Sequence, residues 1–482
     1  MPPLFTRRSF LAASVAMTCL PRVGFAQGSA MTLTATRRSI EVDGKAASVY
    51  GLVNSNGGSG LILDPGQRFA VNLTNALDEE TLIHWHGQIP PNAQDGVPGM
   101  PAPLLKPGES RGYDFASKPG THWMHAHVPL QELNLLAAPL IVRTEADAKA
   151  DRQEAVILLH DFSFKSPAEV MADITGGAAM AGMDHGTNMS GMKGMDMSGM
   201  KGMDMSGMSM SGMMDLNDYN FDAYLANDRT LSDPEVVQID PDARIRLRII
   251  NGAAATVFWV DCGVDDARLI AVDGHDVQPL SGRRFGLAMG QRLDIELDLK
   301  GSGAFPILAL RQGAKDRTGI ILATKGAEVP KFALLADEAA PAFDTDMAQE
   351  TSLLAAKPLA VLPASNAQML MLSGAMQPYV WTINGATWAD HVPVTATSGE
   401  RVELTFHNMS MMGHPMHLHG HSFQVVDTGA GRFAGALRDT VYVPPMARVT
   451  VALDAGEAAS WMLHCHHMPH LASGMMTEFV VS

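Results

Sequence analysis

The feature that most restricts this chain is a recurring pair of histidines two residues apart: His84/His86, His125/His127, His417/His419, His419/His421 and His464/His466. Histidine is 18 of 482 residues, and random placement would give less than about one such pair. Residues i and i+2 share a face only on a strand, so a fold that uses these pairs together is built from sheets. One pair alone is better explained by ordinary core or surface histidines. The repetition is what points to metal, because neutral imidazole suits copper, zinc, iron and nickel.

The strand pattern agrees. Short runs alternating apolar and polar residues, at 68–73, 244–250 and 401–406, sit between Gly-, Pro- and Asn-rich turns. Period-two alternation of this kind predicts half-buried antiparallel strands, and long helical periodicity is scarce. The class is all-β, of the sandwich kind. A weak internal echo accompanies it: a Gly turn (Gly66, Gly399), an alternating strand, and an Asn at its end (Asn75, Asn408), with a His-x-His pair soon after. The run ending in Asn251-Gly252 repeats the strand without the pair. Three related modules follow, at 30–145, 150–335 and 345–482, of which the first and third bind metal.

Residues 1–26 read as an export signal. Thr6-Arg7-Arg8-Ser9-Phe10-Leu11 is followed by a short apolar run ending in Gly24-Phe25-Ala26, the pattern of a twin-arginine signal that exports folded proteins. The run is broken by Pro21 and Arg22, too short for a membrane anchor, and no later stretch reaches about 18 apolar residues. Cleavage removes Cys19 and leaves Cys262 and Cys465, too few for a disulfide framework. A net charge of −16 argues against a nucleic-acid partner. The expectation is a periplasmic monomer with no membrane span.

One segment is unlike the rest. Residues 180–214 hold 13 of the 33 methionines, and the octapeptide 191–198 recurs as 199–206. Without aromatics and with almost no β-branched residues, it cannot build a core. It reads as an insertion at 176–214 in the second module.

The densest cluster is His464-Cys465-His466-His467-Met468-Pro469-His470, with Met475 beyond it. If 464–466 is extended, its two imidazoles face one way and the Cys465 thiolate the other. Cys465, His470 and Met475 can then join a distant His to make a Cys-His-His site with a weak axial Met, the ligand set of a blue-copper electron-transfer site. His414 can serve that site, while His417 and His419 turn with His464 and His466 toward a second site behind the strand.

These motifs, His84-Trp85-His86-Gly87, His125-Ala126-His127, His414-x-x-His417-x-His419 and His464-Cys465-His466-x-x-x-His470-x-x-x-x-Met475, resemble the four copper motifs of the multicopper oxidases, over most of the chain. The resemblance implies three cupredoxin-like Greek-key β-sandwich domains and four copper ions. It implies His414, Cys465, His470 and Met475 at the type 1 copper, and His84 and His417 at the type 2 copper. His86, His125, His127, His419, His464 and His466 would hold the type 3 pair. The middle module would be copper-free. Pairing Cys262 with Cys465 would destroy the type 1 site, so no disulfide is expected, and Cys262 reads as a buried strand residue. Asp95 matches the acid that moves protons after the first motif. A second acid of the family falls at Pro469 here, and Glu478 is near it only in sequence.

The partners implied are O₂ and a reductant, with four electrons and four protons taking O₂ to water. Thioether sulfur selects Cu(I), and a Met-rich linker with no role is costly in oxidation damage. Met183, Met189, Met192, Met195, Met197, Met200, Met203, Met205, Met208, Met210 and Met213 therefore read as a Cu(I) collector. The whole resembles the bacterial copper-tolerance oxidases, in which a Met and an acid before the type 1 His bind Cu(I). Met412 matches that Met, with Met411 beside it, whereas Ser410 stands in the acid's place. The alternatives are a laccase acting on phenols or other small organic reductants, and a copper-storage or carrier protein without turnover.

Overall fold

The computed structural model describes residues 30–128, 130–176 and 216–482. The export signal expected at 1–26 and the methionines from Met183 to Met213 lie outside these residues.

Six sheets fall into three successive pairs along the chain: four and four strands, then six and five, then six and five. In each pair one strand recurs, and it is the alternating strand read from the sequence. Phe69–Asn75, Arg244–Asn251 and Arg401–Asn408 each lie in the middle of a sheet. Each runs antiparallel to a later strand, Ser110–Phe115, Arg292–Asp298 or Arg448–Asp454. On its other side each runs parallel to an earlier strand, Met31–Val42, Gln153–Phe162 or Asn366–Met376. The expectation that these runs are antiparallel therefore holds on one side of each only. Alternation shows that one face is buried but carries no direction, and a Greek-key path returns strands in the same sense as well as the opposite one.

The Asn that closes each recurring strand has a shared task. Asn75, Asn251 and Asn408 are fully buried. Each Oδ1 accepts the backbone N–H two residues on, at 2.9–3.0 Å. Each Nδ2 donates to carbonyls across the loop, such as Leu105, Leu287 and Val443. Such an Asx turn satisfies a buried loop backbone that no sheet ladder reaches. It turns the chain at the same end of each sandwich, and in the first and third the histidines follow.

The first and middle sandwiches share a buried seam. Trp123 and Ala137 pack on Leu158 and Ile250. There Arg248 is fully buried, held by Glu154 at 2.5 Å and Asp294 at 3.0 Å. A buried guanidinium is tolerable when it is paired in this way. Among the described residues, no helix is long and apolar enough to cross a membrane.

Candidate metal centre

The strand His414–Leu418 pairs antiparallel with Ser460–Cys465, setting Met416 opposite Cys465 and His417 opposite His464. The helix Met468–Ala472 then brings His470 back to the thiol. Cys465 Sγ lies 3.7 Å from both His414 Nδ1 and His470 Nδ1. Met475 is fully buried. Its carbonyl accepts the Cys465 N–H and its own N–H donates to His470 O, both at 3.0 Å, so its backbone is tied to both neighbours.

Hydrogen bonds assign the protons. His414 Nε2 donates to Ser410 Oγ at 2.8 Å, whereas His470 Nε2 makes no hydrogen bond and has the Asp218 carboxylate 3.3 Å away as its nearest anion. Both Nδ1 atoms are then bare, and they stand 3.1 Å apart. Two imidazole lone pairs so placed in a dry interior repel unless a cation lies between them. Burial also pushes the Cys465 thiol far up, so a bound cation is what would hold the thiolate there.

Behind the strand, eight histidines from the first and third sandwiches converge. His84, His86 and His417 form one close group, His86, His125 and His466 a second, and His127, His419 and His464 a third. The same lone-pair logic holds. His419 Nδ1 donates to Asp95 Oδ2 at 2.8 Å and His464 Nδ1 to Cys465 O at 2.9 Å, leaving their Nε2 atoms bare and 3.1 Å apart. His86 Nε2 donates to Asp439 Oδ1 at 3.0 Å and His125 Nδ1 to Ala126 O at 3.0 Å. Their remaining nitrogens face each other at 3.4 Å. His84 and His417 each donate Nδ1–H to a carbonyl, of Asp95 and of Asp439, at 2.9 Å. Their Nε2 atoms are buried with no hydrogen-bond partner, as are those of His127 and His466. Orphaned buried nitrogens on this scale fit a polynuclear metal site and no protein partner.

Burial, then neighbouring rings and cations, holds His86, His125, His127, His417, His419 and His464 well below the ordinary imidazole range. His160 is depressed to about 4 and His467 to about 3, both chiefly by burial. A folded-state value below the unfolded one leaves stability intact above about pH 6.5, and stability falls as the unfolded chain gains protons below it. Glu132, pushed up to about 7 by burial, acts in the opposite sense but is one group against many. Metal-stripped protein is therefore expected to be less stable at pH 5 than at pH 7.5, by about 2 kcal/mol for each such histidine. Denaturant unfolding at the two pH values measures it; equal midpoints would contradict neutral buried rings.

The structure adds residues that the sequence did not single out. The Glu132 carboxylate contacts His125 Nδ1 and lines a cleft with His125, His127, His464 and His466. Asp439 and Thr440 reach His86 from the third sandwich, Asp218 reaches His470, and Ser410, noted only as a missing acid, holds His414. Ser410 stands four residues before the histidine it serves, but the others follow no motif spacing, so only the fold reveals them. Glu478 pairs with His391 and Ser460, away from the candidate ligands. Pro469 is buried in the first turn of its helix. Met412 is buried and lines a small cavity with Met289, His467 and Leu216, whereas Met411 is partly exposed. Cys262 and Cys465 are both free and buried.

Comparison with known proteins places these motifs. Residues 34–147, 154–327 and 361–482 each match a domain model described as multicopper oxidase. Multicopper oxidase MmcO of Mycobacterium tuberculosis is 30% identical, over 93% of this chain and 86% of its own. Copper resistance protein A of Escherichia coli is 24% identical, over 95% and 93%. Among solved structures, the laccase of Botrytis aclada superposes with a TM-score of 0.70 at 22% identity, covering 93% of this chain and 87% of that one.

Proposed function

This chain belongs to the multicopper oxidase family, and on that premise we propose that it oxidises Cu(I) to Cu(II) with O₂ as acceptor, in periplasmic copper tolerance. His414, Cys465, His470 and Met475 would hold the type 1 copper. His84 and His417 would hold the type 2 copper, and His86, His125 and His466 with His127, His419 and His464 the type 3 pair. When bound, the coppers supply one-electron oxidation of the reductant and four-electron reduction of O₂ to water. The chain supplies everything else. Cys465 joins the two sites through its own backbone, because His464 and His466 are its neighbours and its carbonyl also accepts the His464 Nδ1–H. Asp95 offers a carboxylate at the cluster. One oxygen accepts from His419, and the other has no hydrogen-bond partner among the described residues, so it can take and release a proton.

The observation that carries Cu(I) as reductant is where the chain resumes after the Met-rich segment. Leu216 lines the cavity that Met412, Met289 and His467 share. Two residues on, Asp218 lies fully buried against His470, and His467 stacks on His470 with ring centroids 3.8 Å apart. Thioethers in the Met-rich segment would raise the local Cu(I) concentration at that histidine. Deleting 183–214 is expected to raise the apparent KM for Cu(I) about a hundredfold, the low end of what linking two binding modules gives, with kcat on a phenol kept or increased. Oxygen uptake with Cu(I), Fe(II) and a phenol measures this. Unchanged Cu(I) kinetics would refute the collector, and turnover of the phenol alone would favour the laccase reading.

A further inference from the structure

Of the three carboxylates that touch the histidine cluster, Asp95, Glu132 and Asp439, the first and last occupy equivalent places in two sandwiches. His84-x-His86-Gly87 and His417-x-His419-Gly420 share one spacing, and both glycines have positive φ, +89° and +66°. In the first, His84 Nδ1 donates to the backbone oxygen of Asp95; in the third, His417 Nδ1 donates to that of Asp439. The carboxylates then cross over, Asp95 to His419 of the third sandwich and Asp439 to His86 of the first. Asp439 is thus the internal counterpart of Asp95.

The symmetry is broken by the middle sandwich. Arg292 is fully buried and grips Asp439 with both arms of its guanidinium, Nη1 to Oδ1 at 2.7 Å and Nη2 to Oδ2 at 2.5 Å. Thr440 Oγ1 donates to Oδ1 as well, at 2.9 Å. Arg292 is itself fixed, through Nε to Thr121 O and Nη1 to Gly290 O, and a Cβ on Gly87 would lie 2.5 Å from its Nη2. No arginine or lysine among the described residues pairs with Asp95 in this way.

We propose that Arg292 is a positioning residue for the cluster: by locking Asp439 as a permanent acceptor, it holds His86 with Nε2 protonated and Nδ1 bare toward His125. The middle sandwich, which contributes no candidate ligand, thereby sets the geometry of a site between its two neighbours. The inference rests on the reading of the eight histidines as a copper cluster. Carboxylate partners of ligating histidines are worth about 10–100-fold in metal affinity, and lysine cannot replace a bidentate guanidinium.

The test uses the copper-loaded enzyme, with Arg292→Lys and, should that fail to fold, the charge-free pair Arg292→Gln/Asp439→Asn. Cluster copper is followed by stepwise chelation and by the spectrum of the coupled pair, with the Cys465 chromophore as internal control. The expected result is cluster copper bound about 10–100-fold more weakly, with the Cys465 chromophore and the melting temperature of the stripped protein kept. Cluster affinity and spectrum equal to the unaltered enzyme would overturn the proposal. Both signals falling together with stability would do the same, by showing a merely structural ion pair. An unaltered enzyme that binds no cluster copper would instead sink the copper reading itself.

Discussion

Cys465→Ser is expected to abolish the blue absorption of the loaded enzyme and to lower turnover on Cu(I) by at least about a hundredfold. Losing an outer partner of a ligand already costs about 10–100-fold, and here the ligand itself is lost. The side chain is fully buried and equidistant from His414 and His470, so serine fits without crowding. Its hard hydroxyl replaces a soft thiolate, and the electron route to the flanking rings is cut at its first atom. His464 and His466 keep their strand, so cluster copper should remain. The check is visible absorption and copper content beside oxygen uptake. Retained blue colour with retained turnover would remove Cys465 from the centre of the mechanism.

Asp95→Asn is expected to lower kcat by about 10²–10⁴, the range of a positioned general acid or base, while the blue absorption stays. An amide can still accept the Nδ1–H of His419, so ring placement survives, but it cannot carry the proton. The loss should be large because Pro469 stands where the resemblance would put a second acid, and Glu132 touches His125 rather than His419. Stopped-flow reduction under argon should proceed at the normal rate, and reoxidation by O₂ should be slow. The opposite split, slow reduction and normal reoxidation, would place Asp95 on the reductant side instead.

Much of this was legible in the sequence because a strand has period two. His84, His125, His417 and His464 lie on strands while His86, His127, His419 and His466 follow just past each strand's end, so the pairs reach one cluster although the period-two pattern itself stops there, and the strand-end asparagines repeat with them. Asp95 apart, the residues that orient those rings were not legible. Asp439 meets His86 across 353 positions and Arg292 meets Asp439 across 147, so no local pattern connects them. Strand direction was equally hidden, since alternation reads the same either way. Met412 stood out by its spacing to His414, but its burial follows from the Asn408 turn, whose Nδ2 donates to Met412 O.

The most direct test of the central claim is oxygen uptake by the copper-loaded enzyme with Cu(I) as sole reductant, titrated to completion. The predicted result is that four Cu(I) are consumed per O₂ and that no peroxide is released, as the eight-histidine cluster requires. Two Cu(I) per O₂ with peroxide accumulating, or no uptake above the rate of Cu(I) alone, would contradict it.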